Sequence, residues 1–464
     1  MKITVFCIVP LFPDYDMGGA QKHLRYIANH LGERGHQVTI VCTRRHDTLT
    51  SFHWHPNVTV HPILQFKQPF PGPYDTGAHN LANIIQDIVH HLEGADRFYI
   101  HDGEMLFPYV YQDIPTVIGL RDNVYPETML GGYLFRGDKL IVISEYSQRF
   151  IEATVGRFFP DLDQRLTRIN NGLDWEHFKP TRPNKIYDLV PKAIRDNYKI
   201  ILHPHRPEDS KGMWQVIDMV SVLAQKRDDF RVLYPHWIGT QADEGVQEFY
   251  QRVETVLEER GISQYFVAHD WVPYQLLPEY YSLGDVTLSL GWFVESFGNA
   301  VYESMGCGTP TVVARIATHR ELLPEHLIDK VNFGDAETAS EIVEEILDTE
   351  RATSRETLDY LKLNYNFEDQ LAQYAEVIEN AQITEPMSFQ PQPIHDSTRF
   401  KLAPWCYATD QRIYHDFHAD YRNDPALVDL LAQGLTVNSA KAVGITAEQF
   451  DSWYRDGYIV PCRD

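Results

Sequence analysis

Short runs of apolar, β-branched residues alternate along most of the chain with longer stretches whose apolar positions recur every three or four residues. The first run, Ile3-Thr4-Val5-Phe6-Cys7-Ile8-Val9, carries no charge, as a strand buried on both faces requires. A turn-rich loop follows and ends in Gly18-Gly19-Ala20. Residues 21–33 then place Leu24, Ile27, Ala28 and Leu31 on one helical face, Gly35 stops the helix, and 38–42 begins the next strand. Strand, glycine turn, helix and strand make one βαβ unit. The same pattern predicts strands over 97–100, 116–120 and 139–143, and helices over 81–92 and 145–153.

A Pro-, Lys-, Arg- and Asp-rich stretch at 179–198 reads as a linker. Beyond it the alternation resumes. Strands are predicted over 200–203, 230–234, 265–268, 285–290 and 311–314, with helices over 212–226, 245–260, 275–283, 298–307, 337–348 and 355–381. Residues 383–404 hold Pro386, Pro391, Pro393 and Pro404 and break the pattern. The expected fold class is α/β with two Rossmann-like domains and a small, mainly helical, aromatic-rich C-terminal appendage. The expected boundaries are 1–180 for an N-terminal Rossmann-like domain and 181–354 for a C-terminal one. Helical periodicity continues over 355–381, 382–404 is a Pro-rich linker, and 405–464 is the appendage.

Composition narrows the class. In 464 residues, 43% hydrophobic and 23% charged describe a globular chain and exclude disorder, collagen and coiled coil. Lys+Arg of 41 against Asp+Glu of 65 leave a net charge of −24, which opposes general binding to nucleic acid or anionic membrane. Anionic ligands must therefore meet a few local cations and backbone amides. Cys7, Cys42, Cys307, Cys406 and Cys462 are scattered without a Cys-x-x-Cys pair, as in reduced cytosolic thiols. No apolar run reaches transmembrane length, and the helix around 80–93 has an apolar face but no Lys or Arg. The expected protein is cytoplasmic, without stable membrane insertion, and homo-oligomer formation is left open.

Three segments carry candidate chemistry. In Glu295-Ser296-Phe297-Gly298-Asn299-Ala300-Val301-Tyr302-Glu303, Glu295 ends the loop after an apolar strand, Gly298 and Asn299 open a helix, and Glu303 lies one to two turns in. A helix start offers free N–H groups and the positive end of the dipole to an anion, and two carboxylates can accept from sugar hydroxyls. His205-Arg206-Pro207-Glu208-Asp209-Ser210-Lys211-Gly212 sits between a strand and a helix, where Arg206 and Lys211 can converge on a phosphate pair. Gly18-Gly19 opens the first helix and offers backbone amides. Taken singly, each segment is equally readable as an ordinary loop or turn.

Together they resemble glycosyltransferase family 4, the retaining nucleotide-sugar transferases of GT-B fold. Gly18-Gly19-Ala20-Gln21 is similar to the family's first βα turn, and Val142-Ile143-Ser144-Glu145-Tyr146-Ser147 to its late N-domain strand-to-helix segment. Ile169-Asn170-Asn171-Gly172-Leu173-Asp174 resembles the turn at the domain junction. Arg206 and Lys211 match the diphosphate-binding pair, Glu295 and Glu303 the Glu-x7-Glu pair, and Gly306-Cys307-Gly308-Thr309-Pro310 its tail. The matches run in order through about residue 381.

The resemblance implies an acceptor domain at 1–180 and a nucleotide-sugar domain at 181–354 facing across a cleft, a helix at 355–381 that returns to the first domain, and transfer of a hexose-type sugar to an acceptor hydroxyl. The donor would be a UDP or GDP sugar, with no cofactor and no metal. It implies that Glu303 binds the ribose hydroxyls and that Glu295 contacts the donor sugar, aided by backbone amides of Phe297, Gly298 and Asn299. Arg206 and Lys211 would neutralise the leaving diphosphate, and Gly19 would approach the donor from the N-domain. His101 stands where the family often places a His near the sugar, and a packed structural histidine fits its position equally well. Three departures stand out. His205 replaces a family glycine, the loop Ala314-Arg315-Ile316-Ala317-Thr318-His319-Arg320-Glu321 lacks the family's glycines, and the appendage has no family counterpart. An epimerase or phosphorylase on the same fold, or a nucleic-acid-modifying glycosyltransferase docked by the appendage, remain alternatives.

Overall fold

The computed structural model describes residues 1–463 except 17, 69–70, 104–106 and 238–243, and the backbone alone at Glu127. The chain divides into two compact units. One comprises Met1–Asn171, Glu368–Cys406 and Asp424–Asp464; the other comprises Gly172–Phe367 and Tyr407–Asn423.

The first unit is built on β1 (Lys2–Cys7), β2 (Gln37–Thr43), β3 (Phe52–His55), β4 (Val58–Leu64), β5 (Arg97–His101), β6 (Thr116–Leu120), β7 (Lys139–Val142) and β8 (Leu166–Arg168). Their order is β3-β4-β2-β1-β5-β6-β7-β8. All pairs are parallel except the β3–β4 hairpin. The unbroken apolar runs of β1, β5, β6 and β7 are buried, as covered parallel strands must be. Helix Ala78–Leu92 buries Ile84, Ile88 and Leu92 against Val41, Leu64 and Ile100. At about 2 kcal/mol for each such side chain, sheet packing accounts for its apolar stripe.

The stretch 355–381 is two helices, Arg355–Asn364 and Phe367–Asn380. The break falls at Tyr365, whose carbonyl accepts from Leu173 N–H at 3.0 Å and from Trp175 Nε1–H at 3.1 Å. The second helix joins the first unit, where Tyr374 and Ile378 are buried and Glu379 pairs with Arg34 and His36.

The second unit is built on β9 (Lys199–Leu202), β10 (Phe230–Pro235), β11 (Phe266–His269), β12 (Val286–Ser289), β13 (Thr311–Ala314) and β14 (Asp329–Val331). All run parallel in the order β11-β10-β9-β12-β13-β14. This is the doubly wound Rossmann order, and it reverses between β9 and β12, the point at which sheets of this kind take ligands beyond the strands' carboxyl ends.

The appendage departs from the expected mainly helical unit. Helices Pro425–Gln433, Val437–Ala442 and Ala447–Arg455 are joined by six short strands, β15 (Arg399–Leu402), β16 (Cys406–Ala408), β17 (Arg412–His415), β18 (Asp420–Asn423), β19 (Leu435–Thr436) and β20 (Ile459–Pro461). These strands are two to four residues long, and β15 pairs with β20 across some 60 positions, so no local periodicity announces them. The helices do carry local signals: Thr436 with Ser439, and Thr446 with Gln449, form reciprocal capping boxes. The segment Tyr407–Asn423 is grouped with the second unit, apart from the rest of the appendage. Among the described residues no helix is long and apolar enough to cross a membrane.

Candidate active site

The segments singled out in the second unit meet at its strand-order reversal. The loop after β9 carries His205, Arg206 and Lys211; the loop after β12 carries Glu295. The two loops touch backbone to backbone: Phe293 N–H donates to the Ser210 carbonyl at 3.0 Å, and a β-carbon on Gly212 or Gly291 would overlap the opposite main chain. That close approach is why glycines stand there, and at Gly212 the left-handed φ of 97° requires one as well.

Lys211 Nζ donates to Glu295 Oε1 at 2.7 Å and lies 3.3 Å from the centre of the Phe293 ring. Burial pushes the Glu295 carboxyl up, but the charge and hydrogen bond of Lys211 outweigh it, so the group is held below its ordinary value. His205 is half-buried, and its Nε2 lies 3.0 Å from the Leu288 carbonyl. Since a carbonyl only accepts, Nε2 carries the proton. Burial, reinforced by Lys211, brings this imidazole down to about 4, so it is neutral at pH 7. Arg206 is half-exposed and pairs with Glu208 at 2.9 Å, so its guanidinium and the Lys211 ammonium each hold a different carboxylate.

Gly298 caps helix Asn299–Gly306 with φ 83°, a conformation that disfavours any other residue. Phe297 is buried and packs its ring at 5.2 Å on Tyr302 and 5.6 Å on Tyr365, which fixes the turn. The amides at Gly298 and Asn299 belong to the first helical turn, which the helix's own ladder leaves without acceptors. Glu303 is buried within the same helix and accepts from Tyr281 Oη at 3.3 Å.

His319 was not singled out in the sequence, where its loop registered only as lacking glycines. It is 4% exposed, and its Cε1 occupies the space a β-carbon on Gly298 would need. Tyr302 Oη lies 3.0 Å from its Nδ1, and Nε2 has no hydrogen-bond partner among the described residues. Burial brings it down to about 4 against the opposing pull of Glu295. Asn299 Oδ1, Thr318 Oγ1 and His203 Nδ1 are likewise buried without partners among the described residues.

The first unit holds the two remaining candidates. Gly19 opens helix Gly19–Glu33 and is exposed. His101, at the end of β5, is 1% exposed with both nitrogens engaged: Nε2 lies 2.9 Å from the Ala20 carbonyl and Nδ1 lies 2.8 Å from Tyr99 Oη. Burial, with the Arg121 charge, brings it down to about 3. The structure thus uses His101 to fasten the Gly19-Ala20 turn. Asp16, in the loop before this turn, pairs with Arg25. Among the described residues no group of three or more His, Cys, Asp or Glu is placed to hold a metal.

Two sequence families match the chain in tandem. "Glycosyltransferase Family 4" matches residues 17–177, and "Glycosyl transferases group 1" matches 188–362, taking in Arg206, Lys211, Glu295 and Glu303. The chain belongs to the family 4-type glycosyltransferases. No curated protein matches this glycosyltransferase in sequence. Among solved structures it is similar to sucrose-phosphate synthase from Thermosynechococcus elongatus, at TM-score 0.63 and 16% identity over 82% of this chain and 98% of that one. It is also similar to Anabaena Alr3699/HepE in complex with UDP-glucose, at 0.63 and 19% over 82% and 99%. A third is the trehalose-6-phosphate synthase OtsA, at 0.62 and 14% over 83% and 100%. At these identities the likeness establishes the GT-B fold. Residues 363–464 of the glycosyltransferase lie beyond both family matches.

Proposed function

We propose that this glycosyltransferase moves a hexose-type sugar from a nucleoside-diphosphate sugar to an acceptor hydroxyl, with retention at the anomeric carbon and without a metal ion. The observation that carries the reading is the Lys211–Glu295 pair at the strand-order reversal, beside a glycine-capped helix start. A parallel α/β sheet binds its ligand at that point. A partly buried ion pair contributes little net stability, so its presence there is better explained by a ligand than by folding.

In this reading Lys211 and Arg206 take the diphosphate, and Glu303 accepts from the ribose hydroxyls. Glu295 and the Phe297, Gly298 and Asn299 amides meet the sugar. The anomeric carbon–oxygen bond to the diphosphate breaks and a bond to the acceptor oxygen forms. The acceptor's proton passes to the leaving phosphate oxygen, whose charge Lys211 and Arg206 stabilise. His101 acts by holding the Gly19-Ala20 turn. The UDP-glucose complex of Anabaena HepE supports a UDP sugar as the first donor to try, with GDP sugars next.

Calorimetric titration of UDP- and GDP-sugars into the wild type and Lys211→Ala tests this. One donor should bind the wild type and weaken at least about 10-fold in the variant. Equal affinity for both proteins would contradict the assignment.

A further inference from the structure

The segment Tyr407–Asn423 lies outside both family matches yet is grouped with the second unit. Its tip, His415-Asp416-Phe417-His418-Ala419, joins β17 to β18. His415 Nδ1 accepts from the N–H groups of Phe417 and His418, both at 3.2 Å, and its ring stacks on His418 at 3.8 Å. This tight tip presents Asp416 inward, where its side chain is fully buried.

Asp416 takes Arg320 in both arms, Nη1 to Oδ1 at 2.6 Å and Nη2 to Oδ2 at 2.7 Å. It also accepts from the Ala317 N–H at 3.4 Å. Ala317 has φ 45°, a left-handed conformation that costs a non-glycine residue energy and needs outside support. The hairpin is seated by Tyr414, whose ring lies 5.4 Å from Phe333, and by Tyr421, which hydrogen-bonds the Phe333 backbone. From the other side Lys330 Nζ donates to the carbonyls of Arg320 and Leu323 at 2.8 and 2.7 Å. The turn Ala317–Arg320 that these contacts grip is the one that places His319 against Gly298.

We propose that Asp416 is a positioning residue for sugar recognition, holding the Ala317–Arg320 turn so that His319 faces the Gly298 end of the site. The hairpin stands in for the glycines this loop lacks: shape that a glycine-rich turn would take up by itself is imposed here by a buried, bidentate carboxylate. The proposal rests on the donor-binding reading of this edge given above. It predicts that losing Asp416 harms recognition of the sugar rather than of the nucleotide.

The test uses the full-length chain with Asp416→Asn, with Asp416→Glu as the conservative variant. A double variant, Arg320→Gln with Asp416→Asn, removes both charges and keeps the fold measurable if the single variant is unstable. Binding of UDP-glucose and UDP, or GDP-mannose and GDP, is compared by calorimetry, and the His319 ring is followed by NMR through a pH titration. In Asp416→Asn and in the double variant, nucleotide-sugar affinity should fall at least about 10-fold while the nucleoside diphosphate stays within about 2-fold. The titration of His319 should rise from about 4 toward the ordinary histidine range, and Asp416→Glu should restore part of both. Equal weakening of sugar nucleotide and nucleotide, or no change in either with His319 unmoved, would overturn the proposal. If the wild type binds none of the four probes, the donor-binding reading fails, and the His319 titration alone decides whether Asp416 sets the turn.

Discussion

The ammonium of Lys211 and the carboxylate of Glu295 meet at 2.7 Å, 84 residues apart in sequence, and tie the loop after β9 to the loop after β12. With Lys211 side-chain exposure at 10% and Glu295 at 24%, the pair is dry enough for its charges to be strongly felt and open enough to be reached. In the proposed function a diphosphate drawn to Lys211 would compete directly with Glu295 and free that carboxylate to accept from the sugar.

Lys211→Ala and Glu303→Ala should each lower kcat/KM at least about 10²-fold, roughly 3 kcal/mol of transition-state stabilisation, without unfolding the protein. Lys211→Ala should also shift the acid limb of the pH–rate profile upward, because Lys211 is what holds Glu295 below its ordinary value. Steady-state kinetics across pH with a circular-dichroism check on folding decides this; near-wild-type kinetics in either variant counts against the roles assigned.

Stability should fall on mild acidification. His205 and His319 are each brought down to about 4, and His101 to about 3, all first by burial. Above about pH 6.5 they are neutral in both folded and unfolded chains. As pH drops below that value the unfolded chain takes up protons and the native one does not, so their contribution is lost progressively toward pH 4. Urea midpoints measured at pH 7.5, 6 and 5 should decrease in that order. A midpoint that rises toward pH 5 would show that other groups dominate.

Gly298→Ala should both destabilise and inactivate. The left-handed backbone costs a non-glycine residue about 1–3 kcal/mol, and the new β-carbon collides with His319. A thermal melt several degrees below wild type with at least about 10-fold less activity is expected. A wild-type melt with full activity would remove the Gly298–His319 contact from the account.

Turnover should survive EDTA, because Lys211, Arg206 and the start of helix Asn299–Gly306 supply positive charge where the diphosphate binds in the proposed reaction. Activity abolished by chelation and restored by Mg²⁺ would reverse this expectation.

The alternating sheet architecture was legible because buried parallel strands are short, apolar and local. The predicted run 116–120 and helix 145–153 coincide with the observed Thr116–Leu120 and Glu145–Ala153. The β3–β4 hairpin was missed because His53, His55 and His61 interrupt its apolar alternation. Lys211, Glu295 and Gly298 were legible as candidates because each sits in the loop at a strand's carboxyl end or at a helix start, where glycine and charge leave a local signature, and Glu303 through its spacing from Glu295. His319 and Asp416 were not. Each acquires meaning only through a partner distant in sequence: Asp416 is 96 residues from Arg320, and nothing near it says that the two will meet.

The most direct test of the central claim is ¹H NMR of a reaction containing the enzyme, a UDP- or GDP-sugar and a panel of hydroxyl acceptors. Loss of the donor's anomeric signal should be matched by release of nucleoside diphosphate and by a product whose new anomeric proton has the donor's configuration. Lys211→Ala should slow all three together. A product of inverted configuration, or a donor converted to an isomer in the absence of any acceptor, would contradict the account.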